Sequence, residues 1–230
     1  MKSYIKNHLW ANKLFAKIYR LWGYNRISIK GRGNQYDLNV LGLFIAHSRI
    51  VINGNNNKLI FLPNKIGGVT HFTRLNITIY GNNNSIIIGA YSSGCGLSIS
   101  IENDNNQIIL GDHFTVGPNT ELAAIEGTVI EFGDDCQLSA NITLRTGDSH
   151  SIVDLQGKRI NRSKSIRIGD HVWIGNTVLI FKGTQIGNNS IVAGGAVVGG
   201  KIFPPYCIIG GNPAKIIKEN INWDRKRLSF

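Results

Sequence analysis

Acidic residues are scarce in this 230-residue chain: 14 Asp and Glu stand against 25 Lys and Arg, a formal net charge of +11. Such an imbalance suits anionic partners, including phosphorylated cofactors and anionic membrane surfaces. Nucleic acid would also fit, but no nucleic-acid-binding motif accompanies the charge, so it is not expected as a partner. Cysteine is nearly lacking. Cys95, Cys136 and Cys207 are too few and too scattered for a disulfide framework or a zinc site, so no metal is expected and a reducing, cytoplasmic setting is. No run of 18 apolar residues occurs, so no membrane span is expected. The N-terminal stretch lacks the uninterrupted apolar run and small-residue cleavage site of a signal peptide.

What the chain does contain is a short period. Between residues 166 and 218 an aliphatic residue recurs at every sixth position: Ile168, Ile174, Ile180, Ile186, Val192 and Val198. Neither the helical period nor the alternation of one long strand gives that spacing. Flat strands that turn a corner after each face do give it, and three faces make one coil of a triangular prism. The expected fold is therefore an all-β solenoid, with the aliphatic side chains stacked inside. Gly169, Gly175 and Gly187 follow three of these residues, and are expected to supply the backbone freedom that corners demand. Hydrophobic content of 42% with 17% charged residues suits such an interior.

Residues 1–26 read as a basic amphipathic helix, with Trp10, Leu14, Ile18 and Trp22 spaced four apart. It is expected to cover an open end of the solenoid or to act as a peripheral membrane foot. The solenoid itself is expected over 27–215. Three asparagine-rich corners punctuate it, beginning at Asn53, Gly81 and Asn103, and their stacked amides are expected to satisfy one another. Ile88-Gly89, Leu110-Gly111 and Phe132-Gly133 are evenly spaced, at an interval longer than three of the later faces would span. These coils are therefore expected to carry extra residues at their corners. The repeat is lost over 145–165, a polar and basic stretch expected to be a loop extruded from a corner, where a rigid scaffold commonly carries its chemistry. Residues 216–230 read as a short basic C-terminal helix. His113 and His171 fall at corners and read as surface residues; Lys182 reads as solvated.

Three blocks carry a resemblance to a known family: IGDHVWIG at 168–175, VAGGAVV at 192–198 and PPYCIIGGNPAK at 204–215. The latter half of the chain resembles the hexapeptide-repeat, left-handed β-helix acetyltransferases, in particular the branch that O-acetylates bacterial surface sugars. The resemblance implies an acetyl-CoA-dependent acyltransferase, a homotrimer with its sites between subunits, and a carbohydrate acceptor. The loop sequence Asp148-Ser149-His150-Ser151-Ile152-Val153-Asp154 matches a D-x-H-x-I-x-D pattern that supplies the catalytic histidine, which points to His150. Neutral imidazole is a suitable base for a sugar hydroxyl attacking a thioester. A carboxylate on the other ring nitrogen would fix its tautomer. Asp148 or Asp154 would serve, and alternation along an extended chain favours Asp148.

The resemblance further assigns Asn176, Gly194 and Gly195 to the pantetheine arm and thioester, and Lys215 and Lys218 to the nucleotide phosphates. Lys201 is implied as a further contact, although its stretch carries one residue more than the family pattern and no threonine. Trp173 would cover the apolar face of the acceptor sugar or fill a subunit interface. Transfer would be direct, since no serine or cysteine has a clear base partner. Acetylation of an amino-sugar nitrogen is the near alternative, and a non-catalytic scaffold the remote one. A carbonic anhydrase on the same fold would need two histidines five residues apart, a pair this chain lacks.

Overall fold

The computed structural model describes residues 23–65 and 68–227. The helix expected over residues 1–26 falls outside the described residues up to residue 22, and Arg26 already opens the first strand. From there the chain winds as a triangular prism with three sheets as its faces, parallel throughout except for the last strand of face three. Face one stacks eight strands from Arg26–Lys30 to Val197–Gly199. Face two stacks eight from Gln35–Asp37 to Ile202–Phe203, and face three stacks nine, starting at Leu43–Ala46. The sixth-position aliphatics all point inward: Ile174, Ile180, Val192 and Val198 are fully buried, and Ile168 and Ile186 are 3% exposed. Burying each side chain stabilises the fold by about 1.5–3 kcal/mol. The interior is a continuous aliphatic column with larger aromatic fillings, among them Phe61, Phe72, Phe114 and Phe132, of which the last two meet edge to face at 5.2 Å.

Coil length varies along the prism. On face one Arg49 pairs with Asn76, Asn76 with Ser98, and Leu179 with Val197, so each of these coils is shorter than the one before. The added residues of the early coils include the corner between faces one and two, where the asparagines stack as expected. Asn57, Asn84 and Asn106 are at most 1% exposed. Each Oδ1 accepts the main-chain N–H one coil further on: Asn57 from Asn84 at 3.0 Å, Asn84 from Asn106 at 2.8 Å, Asn106 from Thr128 at 3.0 Å. The ladder satisfies donors that the turning backbone would otherwise bury unpaired. Asn84→Ala leaves the Asn106 N–H without an acceptor. It is expected to cost about 1–3 kcal/mol of stability, read as a lower denaturant midpoint with an unchanged slope.

Two expectations are corrected. Gly169, Gly175 and Gly187 are not needed for backbone freedom: the left-handed φ angles fall two residues later, at His171 (53°), Thr177 (58°) and Asn189 (56°). The glycines are needed for clearance between coils. A Cβ on Gly187 would lie 2.4 Å from the Pro205 nitrogen, and one on Gly175 would lie 2.6 Å from the Gly194 nitrogen. The C-terminal segment is not a helix either. Ala214–Glu219 is a strand, antiparallel to Cys207–Gly211 on face three, and it covers the edge that the last coil would leave open.

Beyond that strand the tail runs back along the stack. Trp223 lies flat on His171, ring centroids 4.1 Å apart, and donates from Nε1 to the His171 carbonyl. His171 Nδ1 bonds Asp135 at 2.6 Å, so this corner histidine is a structural joint rather than a free surface group. Arg225 finishes the run. Its Nε donates to Asp135 at 2.7 Å, and its other nitrogens reach Thr115, Gln137 and the carbonyls of His113, Asp135 and Cys136.

Candidate active site

The break in the repeat is a loop leaving the corner between faces one and two. It departs after Thr143–Arg145 and returns at Ile166–Ile168. The loop is a small hairpin with Val153 bridged to Arg159 in antiparallel sense. Asp154 forms its turn, accepting from the N–H groups of Gln156 and Lys158 at 3.0 and 2.8 Å. Asn161, 7% exposed, holds the two arms together. Its Nδ2 donates to the His150 carbonyl at 2.7 Å and to Asp148 at 2.8 Å, and its Oδ1 accepts from the Ile152 N–H at 2.8 Å. A bidentate pair from Arg159 to Glu126, at 2.7 and 3.1 Å, fastens the hairpin to the preceding coil, and Ser163 donates to the same carboxylate. Neither Asn161 nor Glu126 was singled out by sequence, because nothing in their spacing marks the contact.

The His150 ring is exposed and, among the described residues, bonds no side chain. Its main chain is fixed and its imidazole is left free, as a base that must reach an incoming hydroxyl requires. Asp148 does not face that ring. Its carboxylate meets the Lys182 ammonium and Asn161. Alternation fails here because Ser149 adopts a left-handed φ of 60° and turns the chain between the two residues. Lys182, expected to be solvated, is therefore an anchor of the loop.

Both anchoring carboxyls are held below their ordinary range, Glu126 by the bonds from Arg159 and Ser163, Asp148 by those from Lys182 and Asn161. A carboxyl depressed in the folded state contributes stability that is complete above its unfolded pKa, near 4, and is lost as pH falls through the lower folded value. Hydrogen exchange at hairpin amides, corrected for intrinsic chemistry, should thus be flat from pH 7 to about 5 and rise only below about 4.

The residues matched to the donor lie elsewhere. Asn176, Gly194 and Gly195 sit at the corner between faces three and one, between the strands Trp173–Ile174 and Leu179–Phe181 and between Ile191–Val192 and Val197–Gly199. They form a shelf over two coils, with the Gly195 N–H donating to the Asn176 carbonyl at 2.9 Å. Gly195 has φ +72° and open space where a Cβ would stand; a Cβ on Gly194 would come within 3.2 Å of the Asn176 oxygen. A narrow ligand arm therefore finds backbone at this corner and no side chain in the way.

The structure brings these three together, and does not bring them to His150, which lies across face one. Lys201 is at the His150 corner, donating to the Ala214 carbonyl at 3.2 Å. Lys215 and Lys218 are exposed on the C-terminal strand. Trp173 is 36% exposed on face three, its Nε1 directed at Ser139 Oγ (3.4 Å) and its ring 5.9 Å from Trp223.

No family model matches the sequence. Comparison with known proteins finds 35% identity over 205 residues to the polysialic acid O-acetyltransferase of Neisseria meningitidis, spanning 89% of this chain and 92% of that protein. Among solved structures, the polysialic-acid-specific acetyltransferase NeuO superposes with a TM-score of 0.78 at 32% identity, covering 89% of this chain and 84% of the other. The polysialic acid O-acetyltransferase OatWY superposes with a TM-score of 0.77 at 33% identity, covering 88% and 92%. A prism of hexapeptide coils, an extruded histidine loop and relatives alike over nearly the whole chain agree, and the chain belongs to the left-handed β-helix acetyltransferases, in their branch of bacterial polysaccharide O-acetyltransferases.

Proposed function

We propose that this protein transfers an acetyl group directly from acetyl-CoA to a hydroxyl of a bacterial surface polysaccharide, with His150 as general base. The observation that carries the reading is the His150 loop: a free imidazole on a backbone locked by Asn161, on a scaffold that carries a backbone-lined shelf at its next corner. The base takes the hydroxyl proton as oxygen attacks the thioester carbonyl. A main-chain N–H near Gly194 is suited to the oxyanion of the tetrahedral intermediate, which collapses to the acetyl ester and the thiol of CoA. Asn176, Gly194 and Gly195 hold the pantetheine arm, Lys215 and Lys218 the phosphates. Lys201, engaged with Ala214, is the weakest of these assignments.

The separation of His150 from the shelf supports assembly as a homotrimer, in which the loop of one subunit meets the shelf of the next. Val153 and Leu155 at the hairpin tip, 52% and 101% exposed, give the loop an apolar surface to bury there. Trp173 serves the acceptor or that interface. The use of acetyl-CoA supports a cytoplasmic location, with residues 1–26 as a peripheral contact on the inner membrane face; flotation with anionic liposomes, with and without that segment, tests this.

The test of function is thiol release from acetyl-CoA in the presence of polysialic acid and neutral glycans. Release that depends on a glycan, with a product acetyl group removed by mild alkali, supports an O-acetyl ester. An alkali-stable product would favour the amino-sugar alternative, and no release with any glycan would sink the reading.

A further inference from the structure

The positive charge of this protein is gathered at one end. Residues 1–65 hold 11 of its 25 Lys and Arg but only one of its 14 Asp and Glu, so ten of the eleven net charges belong to little more than a quarter of the chain. In the described part of that segment Arg26, Lys30, Arg32, Arg49, Lys58 and Lys65 are all exposed. They circle the first two coils rather than line one face. Arg26, Lys30 and Arg49 lie on face one, Arg32 at its corner with face two, Lys58 on face two and Lys65 in the turn that follows. Every ion pair among the described residues uses an acidic group from Glu121 onward, so none engages this end. Its one carboxylate, Asp37, accepts the Asn39 N–H at 2.7 Å.

Apolar groups share the same end. Ile27 and Tyr36 hold the register positions of Ile50 and Leu59, which are at most 1% exposed, yet they are themselves 46% and 50% exposed. Tyr24, stacked on His47, is 79% exposed. An apolar end inside a ring of cations fits a surface that is anionic at its face and apolar beneath. An acidic polymer would neutralise the ring but leave the apolar side chains in water.

We infer that the prism stands end-on on an anionic lipid bilayer, with its first two coils as the footing. This footing does not depend on the transferase reading, and it extends the membrane contact proposed for residues 1–26 into the solenoid itself. Five strand spacings of about 4.8 Å separate Arg26–Lys30 from Thr143–Arg145 along face one, so the His150 loop leaves the prism about 24 Å above the footing. The catalytic loop is thereby held clear of the headgroups.

Binding is measured by flotation of the full chain with vesicles of phosphatidylcholine, with and without phosphatidylglycerol. Each cation near an anionic surface is worth about fivefold, so the triple change Arg26→Gln, Lys30→Gln, Arg49→Gln should raise the lipid concentration for half-binding on the order of 100-fold. Vesicles of phosphatidylcholine alone should bind poorly, and salt should weaken the anionic binding, since screening acts within about 10 Å at 0.1 M. Removing equal charge from the hairpin, with Lys158→Gln, Arg162→Gln and Lys164→Gln, should leave half-binding nearly unchanged. A matching loss there would make net charge the cause and overturn the proposal.

Charge removal within residues 1–22, by Lys6→Gln, Lys13→Gln, Lys17→Gln and Arg20→Gln, separates the footing from the segment before it. If that change abolishes binding while the triple change on the first coils does not lower it, the contact belongs to residues 1–22 alone and the footing is refuted. Loss of labelled polysialic acid binding in the triple variant, with vesicle binding intact, would assign the ring to a glycan and overturn the proposal as well. Either failure leaves thiol release in solution, and with it the transferase reading, untouched.

Discussion

His150→Ala should lower the rate of acetyl transfer by about 10²–10⁴-fold while leaving acetyl-CoA binding and thermal unfolding as they are. The separation of effects follows from the geometry. The ring bonds no side chain among the described residues, so its removal opens no cavity and orphans no partner; the tie from Asn161 runs to the His150 carbonyl and survives any side-chain change. The loss should fall on kcat, because proton removal is felt in the transition state. His150→Gln, which keeps size and polarity without the basicity, should be no better than alanine. The check is thiol release under saturating donor, with donor affinity measured separately by calorimetry. A fall in donor affinity matching the fall in rate would move His150 from base to binding residue.

The second large effect is on stability. Phe132 is 1% exposed, packs edge to face on Phe114, and sits on the strand Val129–Phe132 that pairs with Ile166–Ile168, where the loop rejoins the prism. Phe132→Ala should cost about 3–5 kcal/mol, transfer and cavity together, a fall in melting temperature on the order of 10 °C. Each coil touches only its neighbours, so the damage is local in origin. Hydrogen exchange should rise first in the strands on either side of position 132 and in the hairpin, and last in the coils near residue 50. Uniform acceleration along the chain would mean that the prism unfolds as one unit.

The prism was readable because its rule is local: Ile168 to Val198 repeat at the spacing of one face, and the evenly spaced pairs ending in Gly89, Gly111 and Gly133 measured the longer coils before any contact was known. The asparagine ladder was readable for the same reason, since identical corners stack on one another. What could not be read depended on a single backbone angle or on distance along the chain. Asp148 was matched to His150 on the premise of an extended chain, and the left-handed Ser149 breaks that premise. Residues 214–219 mimic a basic helix, but the open edge of the last coil offers main-chain partners that outweigh propensity. The contact between Arg225 and Asp135 joins distant parts of the sequence, and no spacing announces it.

That contact changes how the molecule bears load. A stack bound only between neighbours can be unzipped from an end, one coil after another, under a modest pull. Here the tail around residues 223–225 doubles back and is pinned by Trp223 on His171 and by Arg225 on Asp135 and Thr115. A pull on the C-terminus is therefore carried first to coils in the middle of the prism, in shear across several strands at once. The tail is held by the middle of the prism, and the terminal coils come under tension only after this clasp gives way.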